Sequence, residues 1–175
     1  MKAPDGNKLA ILQALNQGGF VSGQQLGEQL GISRAAVGKH IHSLQEMGLD
    51  IFKVTGKGYC LNNNAGFLNQ QAITEQYKKL GGNTANVEVQ PIIDSTNSEL
   101  MRRLQSDVPL TSGTVLVAEM QQAGKGRRGR VWQSPFGANL YFSYFWRLDD
   151  GLQAAMGVSI AVGLAVYDAL KALYQ

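Results

Sequence analysis

Gly124-Lys125-Gly126-Arg127-Arg128-Gly129-Arg130 lies between two strand-like stretches, Thr114 to Met120 and Asn139 to Leu148. Four cations and three glycines in seven residues do not make a core. Nor do they make the interior of a helix or strand, where each glycine costs about 1 kcal/mol. The run is therefore a loop between strands, and its chemistry suits an anion. Glycines let main-chain N–H groups approach a phosphate, and guanidinium forks supply paired, charge-assisted hydrogen bonds. Taken alone, the run fits a mobile cationic loop gripping a phosphorylated small molecule, and equally a solvated basic loop or a nucleic-acid patch.

Its flanks exclude two familiar phosphate-binding patterns. Gly124-x-Gly126-x-x-Gly129 matches the dinucleotide fingerprint literally, but that motif needs a strand directly before it and a helix directly after. Here Gln121-Gln122-Ala123 precedes it, and Trp132 to Gly137, with Pro135, follows. A P-loop needs Ser or Thr after Gly-Lys, where this chain has Gly126.

A chain of 175 residues supports one good core or two small ones. The net charge of +3 is mild, yet four of the sixteen Lys and Arg fall within residues 125–130. One cysteine, Cys60, excludes an internal disulfide and fits a reducing cytoplasm. Two histidines and one cysteine spell no metal site. Residues 1–8 are polar and no apolar signal segment follows. The longest apolar run, Ala154 to Tyr167, is shorter than the roughly 20 residues a membrane span needs.

Residues 1–62 spell helix, helix, helix, hairpin. Leu9, Ile11, Leu12 and Leu15 make a helical stripe that ends at Gly18-Gly19. Ser22 with Gln25 has the capping-box spacing, and Gly31 breaks the second helix. Ser33 caps a third helix running to about Met47, which completes a helix-turn-helix spacing. Val37, Ile41 and Leu44 share its inner face. Ala35, Lys39 and His42 point outward with Arg34 near the N-terminus, as a major-groove helix requires. Asp50 to Leu61 alternates around Thr55-Gly56-Lys57-Gly58, which predicts a two-stranded wing with Lys57 at its tip. Ser33, Arg34, Ala35, Lys39, His42 and Lys57 are thus the candidate DNA contacts of a winged helix-turn-helix. A solvated face with ordinary charges, on an unrelated helical module, would show the same residues.

Asn62-Asn63-Asn64 with Gly66 predicts a linker, and Ala72 to Leu80 a connecting helix over the span 63–84. Val87 to Ile93 predicts a strand in which Pro91 marks an edge or a strand end. Thr96-x-x-Glu99 predicts a second capping box, opening a helix whose N-terminal donors and hydroxyls suit a small polar ligand or serve only as a cap. Thr114 to Met120 predicts a strand buried on both faces. Leu140, Phe142, Tyr144, Trp146 and Leu148 share one face of the next strand. Gly151 to Gln175 predicts a helix with small residues for close packing on a sheet. The whole reads as α+β.

Asp94-Ser95-Thr96-Asn97, Gln121 to Arg130, Trp132 and Ser134-Pro135-Phe136-Gly137-Ala138-Asn139-Leu140 together resemble the bacterial biotin protein ligases. With a winged helix in front, the chain resembles the bifunctional branch that also represses the biotin operon. The resemblance implies a class II synthetase-like catalytic domain over residues 85–175. It implies ATP and biotin as substrates, Mg²⁺ carried by ATP, and biotinyl-5′-AMP as both intermediate and corepressor. It implies a biotin carboxyl-carrier protein and operator DNA as partners, a homodimer in the adenylate-bound form, no membrane, and a cytoplasmic location.

By position, Ser95, Thr96, Asn97 and Gln121 would hold biotin. Lys125, Gly126 and Arg127 would form the ligand loop, Arg127 and Arg130 would act catalytically on phosphate, and Trp132 would pack near adenine. The family usually has Arg at the position of Lys125, which keeps the charge but loses the fork. The family also continues into a Lys-Trp-Pro-Asn-Asp segment, further strands and a small barrel. The expectation is therefore an incomplete catalytic domain with little ligase turnover of its own and an exposed apolar surface. The alternative is a DNA-binding or ligand-sensing regulator without turnover.

Overall fold

The computed structural model describes residues 6–62, 67–82, 86–107, 109–130, 132–149 and 151–174. The expected linker at 63–66 lies outside them. The chain divides into two compact units, Met1–Phe145 and Trp146–Gln175.

The first unit opens with three helices. α1 (Gly6–Asn16) buries Ile11, Leu12 and Leu15. α2 (Gly23–Leu30) is capped by Ser22, whose hydroxyl accepts from Gln25 N at 3.0 Å. It stops at Gly31, which adopts φ 65°, a left-handed value that glycine reaches without strain. α3 (Arg34–Glu46) is capped by Ser33 and buries the expected Val37, Ile41 and Leu44. The wing follows as antiparallel β1 (Ile51–Val54) and β2 (Gly58–Leu61), in register from Ile51↔Leu61 to Val54↔Gly58. Val21 and Tyr59 exchange backbone hydrogen bonds of 2.8 and 2.9 Å, tying the wing to the segment before α2. That approach requires Gly58, because a β-carbon there would lie 2.3 Å from the Val21 carbonyl oxygen.

α4 (Gln70–Lys79), capped by Asn69, leads to a three-stranded sheet of order β3-β4-β5. β3 (Asn86–Ile93) runs parallel to β4 (Thr114–Gln121), with α5 (Thr96–Leu104) as the connecting helix. β3 is an edge strand, and Pro91 is the residue its pairing with β4 skips. β5 (Tyr141–Phe145) is antiparallel to β4. It is shorter than the expected Asn139–Leu148: its pairing runs from Tyr141↔Ala118 to Phe145↔Thr114, the first residue of β4.

The winged helix and the sheet share one apolar cluster. Ile11, Leu12, Ile41 and Leu49 belong to it with Ile92 of β3, and Phe67, Met120 and Phe136 pack against it. Phe67 and Phe136 meet edge to face at 5.3 Å.

In the second unit the expected continuous helix is corrected. A short 3₁₀ turn, Leu152–Ala155, precedes α6 (Val158–Tyr174). Gly151 and Gly157 take φ of 72° and 90°, outside any right-handed helix. α6 buries none of its described side chains, and a β-carbon on Gly163 would have nothing within 4 Å. Among the described residues, no helix is long and apolar enough to cross a membrane.

One residue of β4 breaks the expected apolar pattern. Glu119 is buried, its carboxylate accepts from Leu68 N, and its backbone carbonyl accepts from Gly137 N at 3.0 Å. Burial pushes its carboxyl above the ordinary 4.5, and the Leu68 hydrogen bond only partly offsets this. A raised folded-state value favours the neutral form, so the stability it contributes is present below pH 4.5 and is lost as pH rises through the folded value. Glu119→Gln keeps an acceptor for Leu68 and removes the charge. Its urea midpoint should exceed the wild type's near neutral pH, with the gap closing below pH 4.5. A gap independent of pH would contradict this.

Candidate ligand site and nucleic-acid face

α5 begins directly where β3 ends, and its first turn builds the site. The expected cap at Thr96 is displaced by one residue. Ser95 is the N-cap, with φ −162° and its hydroxyl accepting from Ser98 N at 3.3 Å. Glu99 does not close a capping box; it binds Arg102 and Arg103 instead. The shift frees the Thr96 side chain. Thr96 N donates to Gln121 Oε1 at 2.9 Å, and Thr96 Oγ1 donates to the same oxygen at 3.2 Å. A hydroxyl has one proton, so Thr96 Oγ1 accepts from Ser143 Oγ at 2.8 Å. The resulting chain, Ser143 to Thr96 to Gln121, joins β5, α5 and β4 at a point where Ser95 and Thr96 are buried.

A shell of charges braces this turn. Asp94 accepts from Ser95 N at 2.7 Å and takes both guanidinium nitrogens of Arg102 at 2.7 and 2.9 Å. The Arg102 hydrogen bond is the main reason the Asp94 carboxyl stays below its ordinary range. Burial works against the charge on Glu99, yet hydrogen bonds from Arg102 and Arg103 outweigh it and hold that carboxyl low too. Arg103 is itself paired with Glu88 at 2.9 Å.

The cationic loop leaves β4 beside this turn. Gln122 N donates to Ile93 O at 2.8 Å and Ala123 N to Asp94 O at 2.7 Å. Gly126 N then donates to Arg130 O at 3.2 Å, folding Arg127–Gly129 into one 3₁₀ turn. Arg128 sits at φ 59°, ψ 36°, where a non-glycine residue stores strain of about 1–3 kcal/mol. Among the described residues, none of Lys125, Arg127, Arg128 and Arg130 has a carboxylate partner.

Two adjoining clefts result. The first, of about 370 Å³, is lined by Ser95, Thr96, Asn97 and Gln121, and by Tyr141 and Ser143 of β5. The second, of about 710 Å³, is lined by Lys125, Gly126, Arg127, Arg128, Arg130 and Trp132. Lys125 and Trp132 border both. All the expected ligand residues therefore line this pair of clefts, divided into a neutral polar half and a cationic half. The sequence reading missed Leu140, Tyr141, Phe142 and Ser143, which complete the polar half. Ser143, a small polar side chain in an otherwise aromatic strand, was the available signal. Among the described residues, neither lining contains a carboxylate, and the donor set suits an anion.

The other expected contacts lie on the winged helix. Ser33, Arg34, Ala35, Lys39, His42 and Lys57 are all exposed. His42 lies 3.5 Å from Glu46, and Lys57 Nζ sits 5.7 Å above the Phe20 ring.

Residues 7–60 match the HTH domain family, and residues 89–175 match the biotin/lipoate A/B protein ligase family. The chain is 48% identical over 165 residues to the bifunctional ligase/repressor BirA of Salmonella typhimurium and 49% identical to that of Escherichia coli, each alignment covering 94% of this chain and 49% of the relative. It is 33% identical to the bifunctional ligase/repressor BirA of Bacillus spizizenii over 93% of this chain and 50% of that one. The chain belongs to the biotin protein ligase family, in the branch with an N-terminal helix-turn-helix domain. It spans about half the length of the curated relatives it matches.

Thr96→Val keeps the shape at this junction and removes the hydroxyl between Ser143 and Gln121. Leaving buried polar partners unpaired should cost about 1–3 kcal/mol, read as a lower urea midpoint with unchanged slope. An unchanged midpoint would show that the three side chains do not act together.

Proposed function

We propose that this chain is the DNA-binding and adenylate-forming part of a bifunctional biotin ligase and repressor. Residues 1–62 would form the DNA-binding domain, 63–84 the connection, and 85–175 the part of the catalytic domain that holds the ligand. The observation that carries this reading is the pair of adjoining clefts. A neutral ligand with hydrogen-bonding groups fits the Ser95–Asn97 and Gln121 half, and a phosphate fits the Lys125–Arg130 half.

In the activation step a carboxylate oxygen of biotin bonds to the α-phosphorus of ATP. The bond from that phosphorus to its bridging oxygen breaks, and pyrophosphate leaves. Arg127 and Arg130 would neutralise the charge that builds on the phosphoryl oxygens, an electrostatic effect worth most in a site prepared before the reaction. Mg²⁺ would enter on the nucleotide's own oxygens. The amine of a carrier-protein lysine then attacks the acyl carbon of biotinyl-5′-AMP and AMP departs, leaving an amide. The loop would shield the mixed anhydride from water. In the adenylate-bound homodimer, Arg34, Lys39 and Lys57 would meet DNA phosphate while Ser33, Ala35 and His42 face the groove. The setting for these steps is the cytoplasm.

The division of the clefts sets the test. Calorimetry should give one-to-one binding of biotinyl-5′-adenylate. Arg127→Ala should weaken it by about 10- to 100-fold, as expected for a charge-assisted hydrogen bond, and leave the affinity for biotin itself almost unchanged. Equal losses for both ligands, or no adenylate binding by folded wild type, would contradict the assignment. On the other face, Lys39→Ala should lower operator affinity and reduce the salt dependence of binding by about one phosphate contact. An unchanged salt slope would remove Lys39 from the interface.

A further inference from the structure

Ser134 is 6% exposed, and among the described residues its hydroxyl has no hydrogen-bond partner. A buried, unpaired hydroxyl has given up water for nothing, and folded proteins keep few of them without a use. Its surroundings show what the use is. A β-carbon built on Gly124 would lie 3.3 Å from Ser134 Oγ, 3.3 Å from Gln121 Nε2 and 2.9 Å from Trp132 Cδ1. Gly124 does not take a positive φ, so it is glycine here for space rather than for conformation. With no side chain in the way, the Ser134 hydroxyl and the Gln121 amide nitrogen both border the space beside the bare α-carbon. Thr96 fixes which end of that amide points there, because its N–H and hydroxyl both donate to Oε1 and leave Nε2 toward Gly124.

We propose that Ser134 is a positioning residue for the ligand cleft: in the liganded state Gln121 Nε2 donates to Ser134 Oγ across Gly124. An amide nitrogen has two protons, so this bond leaves the second one for the ligand while Thr96 holds the oxygen. Gln121 is then fixed at both ends of its amide. The inference rests on the reading of this cleft as the binding site for the biotinyl group. It gives the Ser134 hydroxyl a partner only once the ligand draws the amide into place, so removing the hydroxyl has opposite consequences for the empty and the filled protein.

The test is calorimetry with biotinyl-5′-adenylate on wild type, Ser134→Ala, Ser134→Thr, Gln121→Ala and the Ser134→Ala/Gln121→Ala double variant, with thermal melts of each unliganded protein. Ser134→Ala should bind about five-fold more weakly, the worth of one ordinary hydrogen bond, with an unliganded melting temperature no lower than wild type. Ser134→Thr, which keeps a hydroxyl, should lose less. In the Gln121→Ala background, Ser134→Ala should cost nothing further. Wild-type affinity in Ser134→Ala, or the same loss in both backgrounds, overturns the role given to Ser134 and leaves the ligand reading standing. Failure of folded wild type to bind overturns both.

Discussion

The two hydrogen bonds from Thr96 to Gln121 Oε1 tie together the elements around the polar cleft. They connect the first turn of α5 to the last residue of β4, and through Ser143 they reach β5. Every element that lines the polar cleft is placed by that knot. The cationic loop begins at its edge, where Ala123 N bonds to Asp94 O. The cap at Ser95 is what makes the knot available. Because Ser95 satisfies the helix N-terminus, the next hydroxyl is free to bind across to the sheet.

Charge is organised on the same plan, in two populations. Arg102 and Arg103 are consumed by Asp94, Glu99 and Glu88, and they brace the turn. Arg102 is about half exposed, so its pairs add little stability. Their effect is orientation, since Asp94 also holds the backbone of Ser95. Lys125, Arg127, Arg128 and Arg130 have no such carboxylate partners among the described residues, and the strained backbone at Arg128 lies among them. Paired cations build the site, and unpaired cations stand ready for an anion.

The sequence made the winged helix legible because its signals are local. Ser22, Gly31 and Ser33 mark helix ends, and Val37, Ile41 and Leu44 mark a buried face. The Lys125–Arg130 stretch was legible as a cationic loop between strands for the same reason. Three features were not, and each depends on distant residues. The cap falls on Ser95 rather than Thr96 because Gln121 and Ser143, both far along the chain, compete for the Thr96 hydroxyl. Glu119 stands in a strand that otherwise fits an apolar pattern because Leu68 supplies a donor to it. β5 contributes Tyr141 and Ser143 to the cleft through its antiparallel register against β4, a pairing between segments far apart in the chain.

In the proposed arrangement one anionic, partly polar ligand occupies both clefts at once. Backbone amide chemical shifts, followed by nuclear magnetic resonance while biotinyl-5′-adenylate is added, test it most directly. Saturating changes at Ser95–Asn97, Gln121 and 124–130 together, at one common midpoint, are the predicted result. Changes confined to 124–130, or shared with α3 at the same strength, would contradict a single ligand held across the Thr96–Gln121 knot.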